Sequence, residues 1–287
     1  MKNLLPSNTA VAMNKVGAMI VSAPASVCDV SGDFTISKYF NAKATKDDYT
    51  NIIFKENGVA FQSYDAGDIV RVRFGNAAGD GYQQIGASTS VQISTFKAIK
   101  DKNTLVTIVK KGLVVTVYYN SILMKTIELT EQIGNNDNLF TDDNNTGLDN
   151  ILDMSYIFFN YALTPAEVSL LWNNGRPDKV KLKSYQKWGS NTNLKPSQFK
   201  KGKVYKITNN TGSNFTLYGA PNNEIGTVFT CNNDFNITNN NGYAIQLGCV
   251  ASYTSKGFVY NSSLQVNRWL DDSSNKLHAD VSGNPLV

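Results

Sequence analysis

Residues 104 to 129 constrain the fold more than any other part of this sequence. Thr104-Leu105-Val106-Thr107-Ile108-Val109 is followed by Lys110-Lys111-Gly112, then by Leu113-Val114-Val115-Thr116-Val117-Tyr118-Tyr119. After Asn120-Ser121 comes Ile122-Leu123-Met124-Lys125-Thr126-Ile127-Glu128-Leu129. β-Branched side chains at this density lose rotamer freedom in a helix and suit a pleated, half-buried surface. The two short turns leave no room for a crossover, so the three strands form an antiparallel meander.

The same period-two pattern recurs in short spans divided by turn residues: Phe34-Thr35-Ile36-Ser37, Asn51-Ile52-Ile53-Phe54, Val59-Ala60-Phe61 and Ile69-Val70-Arg71-Val72-Arg73-Phe74. Segments of this kind at regular spacing mark a sandwich or barrel. Only 17% of the residues are charged, and Asn, Thr, Ser and Gly are plentiful, which suits many short strands and turns. A chain of 287 residues exceeds what one small sandwich needs, so a larger and a smaller unit are expected.

One helix can be delimited residue by residue. Thr164 is its N-cap, Pro165 occupies the first position, and Glu167 completes a capping box. Leu163 can staple against Val168, and Val168, Leu171 and Trp172 share one face. Asn173-Asn174-Gly175 supplies a left-handed stop, and Pro177 prevents resumption.

The Asn/Asp-rich stretch from Gly134 to Asn150 offers almost nothing to bury and reads as loop, with a last strand over Met154–Asn160. Asp178 to Ser197 reads as a polar connector. Beyond it, Gly202–Thr208, Asn214–Tyr218, Gly226–Thr230 and Tyr243–Leu247 read as strands of a second β unit, and Trp269–Asn275 as a turn. The expected divisions are an N-terminal segment with a first strand over 1–30, the larger β domain over 31–180, a connector over 181–200 and the small β domain over 201–287.

Charge and cysteine usage exclude several classes. The net charge of +4 is spread over strands and turns, so a nucleic-acid groove is not expected, and solvated lysines on sheet faces are. Cys28, Cys231 and Cys249 show no C-x-x-C spacing; buried free thiols are the default, with a Cys231–Cys249 bridge as the alternative. No stretch approaches the ~20 apolar residues of a membrane helix. Pro6, Asn8, Asn14 and Lys15 interrupt any leader-like apolar run, so synthesis in the cytoplasm without an export signal is expected.

Two resemblances follow from particular segments. Asn160-Tyr161-Ala162-Leu163-Thr164-Pro165-Ala166-Glu167-Val168-Ser169-Leu170-Leu171-Trp172-Asn173-Asn174-Gly175-Arg176-Pro177 resembles the closing signature of laminin-G-like, concanavalin-A-like jelly rolls, and the meander resembles that family's central strands. The resemblance covers residues about 30 to 180 and implies an all-β double-sheet jelly roll with one short C-terminal helix, followed by a smaller β domain. Gly202-Lys203-Val204-Tyr205-Lys206-Ile207-Thr208-Asn209, Phe215-Thr216, Gly219-Ala220-Pro221-Asn222-Asn223 and Gly226-Thr227-Val228-Phe229-Thr230 are similar to a small β module of tailed-phage virion proteins. Trp269-Leu270-Asp271-Asp272-Ser273-Ser274-Asn275 resembles a turn frequent in phage fibres, although Asn275 lacks the usual preceding Gly.

Chemistry-bearing residues are sparse. The single histidine, His278, has no Ser or Cys elbow to serve, so no nucleophilic triad is expected. The pairs Asp47-Asp48, Asp142-Asp143 and Asp271-Asp272 read as turn formers rather than opposed glycosidase acids. Asp137, Asp142, Asp143 and Asn145 lie in a loop dense in oxygen ligands but lacking EF-hand spacing; it is either a calcium site or a solvated loop. Tyr64, Tyr82, Trp188 and Tyr218 stand beside turn residues and are candidate stacking platforms for sugar rings.

The resemblances together imply a non-enzymatic structural component of a bacteriophage virion, such as a head fibre, decoration or tail-fibre protein. It would form homo-oligomers, contact other virion proteins and bind bacterial surface glycans, with no cofactor beyond optional calcium, and with neither nucleic acid nor membrane as partner. The alternative is a carbohydrate-binding adhesin module of a bacterium, and a further one is a glycan depolymerase.

Overall fold

A computed structural model describes residues 11–13, 19–22, 29–42, 50–55, 58–64, 67–134, 138–140, 151–177, 189–233, 241–260, 266–271 and 279–281. In chain order the first strands are β1 Val11–Met13, β2 Met19–Ser22, β3 Phe34–Ala42, β4 Thr50–Phe54, β5 Val59–Tyr64, β6 Ile69–Phe74 and β7 Val91–Ser94. The meander follows as β8 Asn103–Lys111, β9 Val114–Tyr119 and β10 Ile122–Glu128, then β11 Asn138–Phe140, β12 Ile151–Phe159 and the helix α1 Pro165–Trp172. The remainder holds β13 Ser190–Leu194, β14 Val204–Asn209, β15 Val228–Thr230, β16 Tyr243–Gln246, β17 Cys249–Tyr260, β18 Val266–Asp271 and β19 Ala279–Val281. The chain is all-β with one short helix.

Among the described residues the strands form two sheets. The larger runs β10-β9-β8-β3-β12-β17-β18-β19-β2-β11-β4-β5-β6-β7, with β1 also paired to β12. It folds over on itself as a sandwich. Phe34, Ile36, Phe40, Val106, Ile108, Val115 and Val117 from one layer meet Phe61, Val70, Val72 and Phe74 from the other, all at 0% exposure. Phe61 of β5 sets its edge against Tyr119 of β9 at 6.1 Å between centroids, a contact that bridges the layers. Each such side chain contributes about 1.5–3 kcal/mol by leaving water, so the two layers are held together chiefly by apolar packing.

The meander has the register that the sequence implies. The β8 to β9 turn places Gly112 at φ +59°, and the β9 to β10 turn places Asn120 and Ser121 at φ 51° and 69°. Two successive left-handed residues make the turn whose twist matches the strands it joins. The Asn120 side chain adds to this by accepting from the Leu105 amide at 2.8 Å.

The helix matches its expected limits. Thr164 Oγ1 accepts from Glu167 N, the Glu167 carboxylate accepts from Thr164 N at 2.9 Å, and Asn173, Asn174 and Gly175 all have positive φ. Leu163, Val168 and Leu171 bury against Tyr39, Leu105, Val109, Tyr118, Ile157 and Phe159 on the outer side of the β3, β8, β9 and β12 layer. Trp172 is half-buried and meets Tyr39 edge-on at 6.4 Å.

The second sheet has the order β13-β16-β14-β15. It encloses its own core of Phe199, Tyr205, Ile207, Phe215, Tyr218, Ala220, Phe229, Cys231 and Ala244, with Phe199 stacked on Tyr205 at 4.3 Å. The chain then goes back to the large sheet. β17 pairs along β12, with Tyr156 opposite Tyr253 and Phe158 opposite Ala251, and β18 and β19 continue outward from it. The small unit is therefore an insertion between β12 and β17, rather than everything beyond residue 201.

Several local expectations are corrected. The loop expected over 134–150 contains β11, which gains its hydrogen bonds from β2 and β4, partners distant in sequence. The connector contains β13, a polar strand on the edge of the small sheet that buries little and so carries no apolar alternation. Asn214–Tyr218 is a 3₁₀ turn; at three residues per turn Phe215 and Tyr218 fall on the same side and both enter the core. The expected turn at Trp269 begins inside β18.

Lysines are not all solvated. Lys38 shares its parity with Phe34, Ile36 and Phe40, lies inside the sandwich at 0% exposure, and donates to the Ile52 carbonyl at 2.8 Å. Lys110 is 1% exposed and donates to the carbonyls of Ser31 and Gly32 and to Gln132 Oε1 at 2.8–2.9 Å. Three acceptors match the three ammonium hydrogens, which is what allows a charge to leave water here.

Cys231 and Cys249 are buried in different clusters and are not joined to each other, and their thiols donate to Asn233 O and Ala251 O. This removes the Cys231–Cys249 bridge. Cys28 lies outside the described residues.

Candidate functional site

The alternation in β6 buries Val70, Val72 and Phe74 and turns Ile69, Arg71 and Arg73 outward. Register then builds a row across four strands: Asn51 on β4 opposite Gln62 on β5, Gln62 opposite Arg71 on β6, and Arg71 opposite Gln92 on β7. Gln62 Nε2 donates to Asn51 Oδ1 at 2.7 Å, and Arg71 Nε donates to Gln62 Oε1 at 3.1 Å. Asn51 and Gln62 are buried, Arg71 half-buried and Gln92 exposed, so the row grades from a fixed inner end to an open outer end.

Beside this row, Arg73 lies over the ring of Tyr82, with Cζ 3.8 Å from the centroid. Tyr82 arrives there because it bridges to Gly75 just past the end of β6. The neighbouring Gln83, 2% exposed, fixes the loop: Nε2 donates to Gly75 O at 2.9 Å, while Oε1 accepts from Thr130 N, Thr130 Oγ1 and Glu131 N. Guanidinium stacking on an aromatic face contributes ~0.5–2 kcal/mol and sets the guanidinium plane. Arg73 Nε is buried without a hydrogen-bond partner.

Of the expected stacking residues, Tyr64 and Tyr82 fall on or beside this face. Tyr64 is outward on β5, two residues from Gln62, and packs so tightly on Gly67 that a Cβ there would collide with its ring. Tyr218 is corrected: it is 0% exposed in the small core, with Phe199 against it at 5.4 Å, and presents no face to a ligand. Trp188 and the loop positions Asp137, Asp142, Asp143 and Asn145 lie outside the described residues, as do His278, Asp47 and Asp48. Among the described residues no group of three or more His, Cys, Asp or Glu is placed to hold a metal ion.

Asn51, Gln62, Arg71 and Arg73 are functional candidates that sequence reading passed over. The signal was present in Ile69–Phe74, where two arginines share the parity opposite to the apolar residues. Their partners come from register across strands, which no local pattern displays.

A depression of about 350 Å³ lies elsewhere, where the first residues of α1 meet β8 and β9. Val109, Val114, Thr116 and Tyr118 form its floor and Leu163, Thr164 and Pro165 one wall, with Lys111 at the margin. Thr164 spends its hydroxyl on the helix cap, so this depression is chiefly apolar. No helix among the described residues is long and apolar enough to cross a membrane.

Two buried titratable groups are perturbed. Burial holds the Lys110 ammonium below its ordinary range, against the opposing pull of the Asp33 and Asp29 carboxylates. Burial raises Tyr119 above the usual tyrosine value, although its hydrogen bond with Ser94 acts the other way. Neither group lies on the Arg73 face; both belong to the framework.

No family model matches the chain, and no curated protein does. Solved structures similar to it include Trypanosoma rangeli sialidase, at 10% identity and a TM-score of 0.39, covering 53% of this chain and 24% of the sialidase. A structure described as a receptor binding domain aligns at 18% identity and a TM-score of 0.37, over 62% of this chain and 41% of that one. The F1240A mutant of HCR/D aligns at 11% identity and a TM-score of 0.41, over 89% of this chain and 66% of that one. The chain thus spans about a quarter of the sialidase and two fifths of the receptor binding domain.

Proposed function

We propose that this chain is a non-enzymatic, surface-binding structural component of a tailed-phage particle, and that the half-buried Arg71, Arg73 and Tyr82, with the exposed Gln92 and held from behind by Asn51 and Gln62, meet a glycan on the host surface. The observation that carries the glycan reading is the fixed amide and guanidinium row beside a stacked ring. Sugar hydroxyls need donors and acceptors side by side, and amides supply both in one plane. Amides carry no ionisable proton, so they suit holding a ligand rather than transferring its protons.

The particle assignment is supported by the resemblance of Gly202–Thr230 to a phage virion module. Those residues fold as one continuous β unit containing β14, the 3₁₀ turn and β15. On a particle, many copies in symmetric oligomers would turn weak single-site binding into strong attachment.

Fractionation of purified particles tests the first part: the chain is expected in intact virions, and its absence from them refutes a virion role. A glycan array tests the second. Binding is expected with the intact chain and reduced in the Gln62→Ala, Arg71→Ala double variant; an array left blank by a folded, oligomeric preparation refutes glycan recognition. Release of a cleaved sugar product in the same assay would overturn the non-enzymatic reading.

A further inference from the structure

β10 is one edge of the large sheet, and β8, β9 and β10 turn one face away from the sandwich core. Residues directly opposite each other in an antiparallel pair stand on the same face. Lys111 on β8 lies opposite Val114 on β9, and Val114 lies opposite Glu128 on β10. The next row on this face is Val109, Thr116 and Thr126. With strands spaced ~4.8 Å apart, Lys111 and Glu128 flank Val114 at about 10 Å from each other along the main chain. Both charged side chains are exposed, and Val114 between them is 43% exposed. Leu123, opposite Tyr118 on the same face, is 54% exposed.

This row is positive at one flank, apolar in the middle and negative at the other, and so it complements its own reverse. A two-fold axis along β9, lying in the plane of contact, turns a second copy over and reverses its strand order. Lys111 of each copy then meets Glu128 of the other, and Val114 meets its counterpart. The same operation lays the second copy's β10 over β8 and brings its Thr126 to the depression floored by Val109 and Thr116. Packed sheets stand ~10 Å apart, a gap that a lysine and a glutamate side chain span together. Pairing through the β10 edge is disfavoured, because the strand bulges between Leu123 and Lys125 and carries the exposed Lys125, two features that blunt an edge. A foreign partner would have to carry this order of charges independently; a second copy carries it of necessity.

We propose that the outer face of β8, β9 and β10 is the two-fold contact between two copies of this chain, with Lys111 and Glu128 as reciprocal charges and Val114 on the axis. The contact is independent of the glycan reading, since Arg71 and Arg73 lie on the other layer of the sandwich. Two copies joined through the β8 to β10 layer leave both Arg71 and Arg73 faces outermost.

Sedimentation velocity of the intact chain at micromolar concentration is expected to show twice the mass of one chain. Lys111→Glu and Glu128→Lys each set like charges against each other at two symmetry-related places, and each is expected to weaken dimerisation roughly tenfold or more. Mixing the two single variants is expected to restore a dimer with one of each. The double variant Lys111→Glu, Glu128→Lys is expected to dimerise with itself, because its row is reversed and still self-complementary. Neither rescue can arise from misfolding. Val114→Asp places like charges on the axis and is expected to dissociate the pair, whereas Val228→Asp, at a 50% exposed position of the small sheet, is expected to leave it intact. Melting curves verify that the variants fold.

A monomer at every concentration from low micromolar upward overturns the proposal. A dimer whose affinity is unchanged in both single variants places the contact elsewhere and overturns it equally. Folded single variants that stay monomeric when mixed overturn the reciprocal pairing of Lys111 with Glu128, and the proposed axis with it.

Discussion

Asn160 and Gly248 are tied by two hydrogen bonds that run in opposite directions: Asn160 N donates to Gly248 O at 3.2 Å, and Gly248 N donates to Asn160 Oδ1 at 2.8 Å. The Asn160 amide nitrogen also donates to Asn191 Oδ1 at 2.7 Å and Gln246 O at 3.0 Å. One side chain at the end of β12 thus grips both strands by which the small sheet is joined.

Asn160→Ala removes all three side-chain bonds and leaves the buried Gly248 amide without an acceptor. The expected cost is about 2–4 kcal/mol, most of it from the orphaned donor. Urea denaturation measures the loss. Hydrogen exchange should speed up first at residues 189–194 and 246–249, and uniform acceleration across the whole sandwich would contradict a local role.

Gly189→Ala tests the closeness of the same joint. A Cβ at Gly189 would stand 2.5–2.7 Å from the O, C and N of Gly248, all main-chain atoms that cannot swing aside. The backbones must separate, and a loss of about 1–3 kcal/mol is expected. Gly32→Ala, which meets nothing within 4 Å, is the control and should melt near the parent temperature.

Lys110→Met withdraws the ammonium that joins the loop at Ser31 and Gly32 to Gln132. Gly32 and Gln132 lie at the surface and can turn to water once the ammonium is gone, so a moderate destabilisation of about 1–3 kcal/mol is expected. The two loops should become sensitive to limited proteolysis while the meander stays resistant.

Tyr119→Phe addresses alkaline stability. The folded state holds the Tyr119 proton more tightly than the unfolded chain, whose tyrosine titrates near its ordinary value of 10.0. The favourable contribution is therefore complete below that value and is lost as pH climbs toward the raised folded value. The parent should lose stability faster than Tyr119→Phe above about pH 10, the unperturbed tyrosine range. Parallel denaturation curves across that range would contradict the assignment.

The helix could be read to the residue because its signals are local: Thr164, Pro165 and Glu167 within one turn, and Asn173 to Gly175 at its end. The meander could be read because each partner strand follows its neighbour at once. β13 and β11 escaped because Ser190–Leu194 and Asn138–Phe140 are strands by virtue of partners far along the chain, not by their own apolar alternation. The return of β17 to β12 is of the same kind. Nothing near Cys249 announces a pairing with Phe159.

The candidate site divided along similar lines. Tyr82 could be picked out as a ring beside turn residues, and Tyr218 equally well, yet one faces Arg73 and the other lies in a core. Local sequence does not distinguish them; the 3₁₀ spacing of Phe215 and Tyr218 does, once the turn is recognised. Lys38 shows the converse limit. Parity places it with Phe34, Ile36 and Phe40, but polar partners such as the Ile52 carbonyl opposite are what make that position tenable for an amine.

The small sheet is spliced between two neighbouring strands of the large one, and its two attachment points touch, with Gly189 N donating to Cys249 O at 2.7 Å. A module held by one covalent link can swivel about it; here the hydrogen bonds of Gly189 to Cys249 and of Asn160 to Gly248 must break before the module can turn. Traction on its far loops enters β17 and passes sideways into β12 and β18, where many hydrogen bonds resist in parallel. The mounting is thus built to bear load and to keep a fixed bearing.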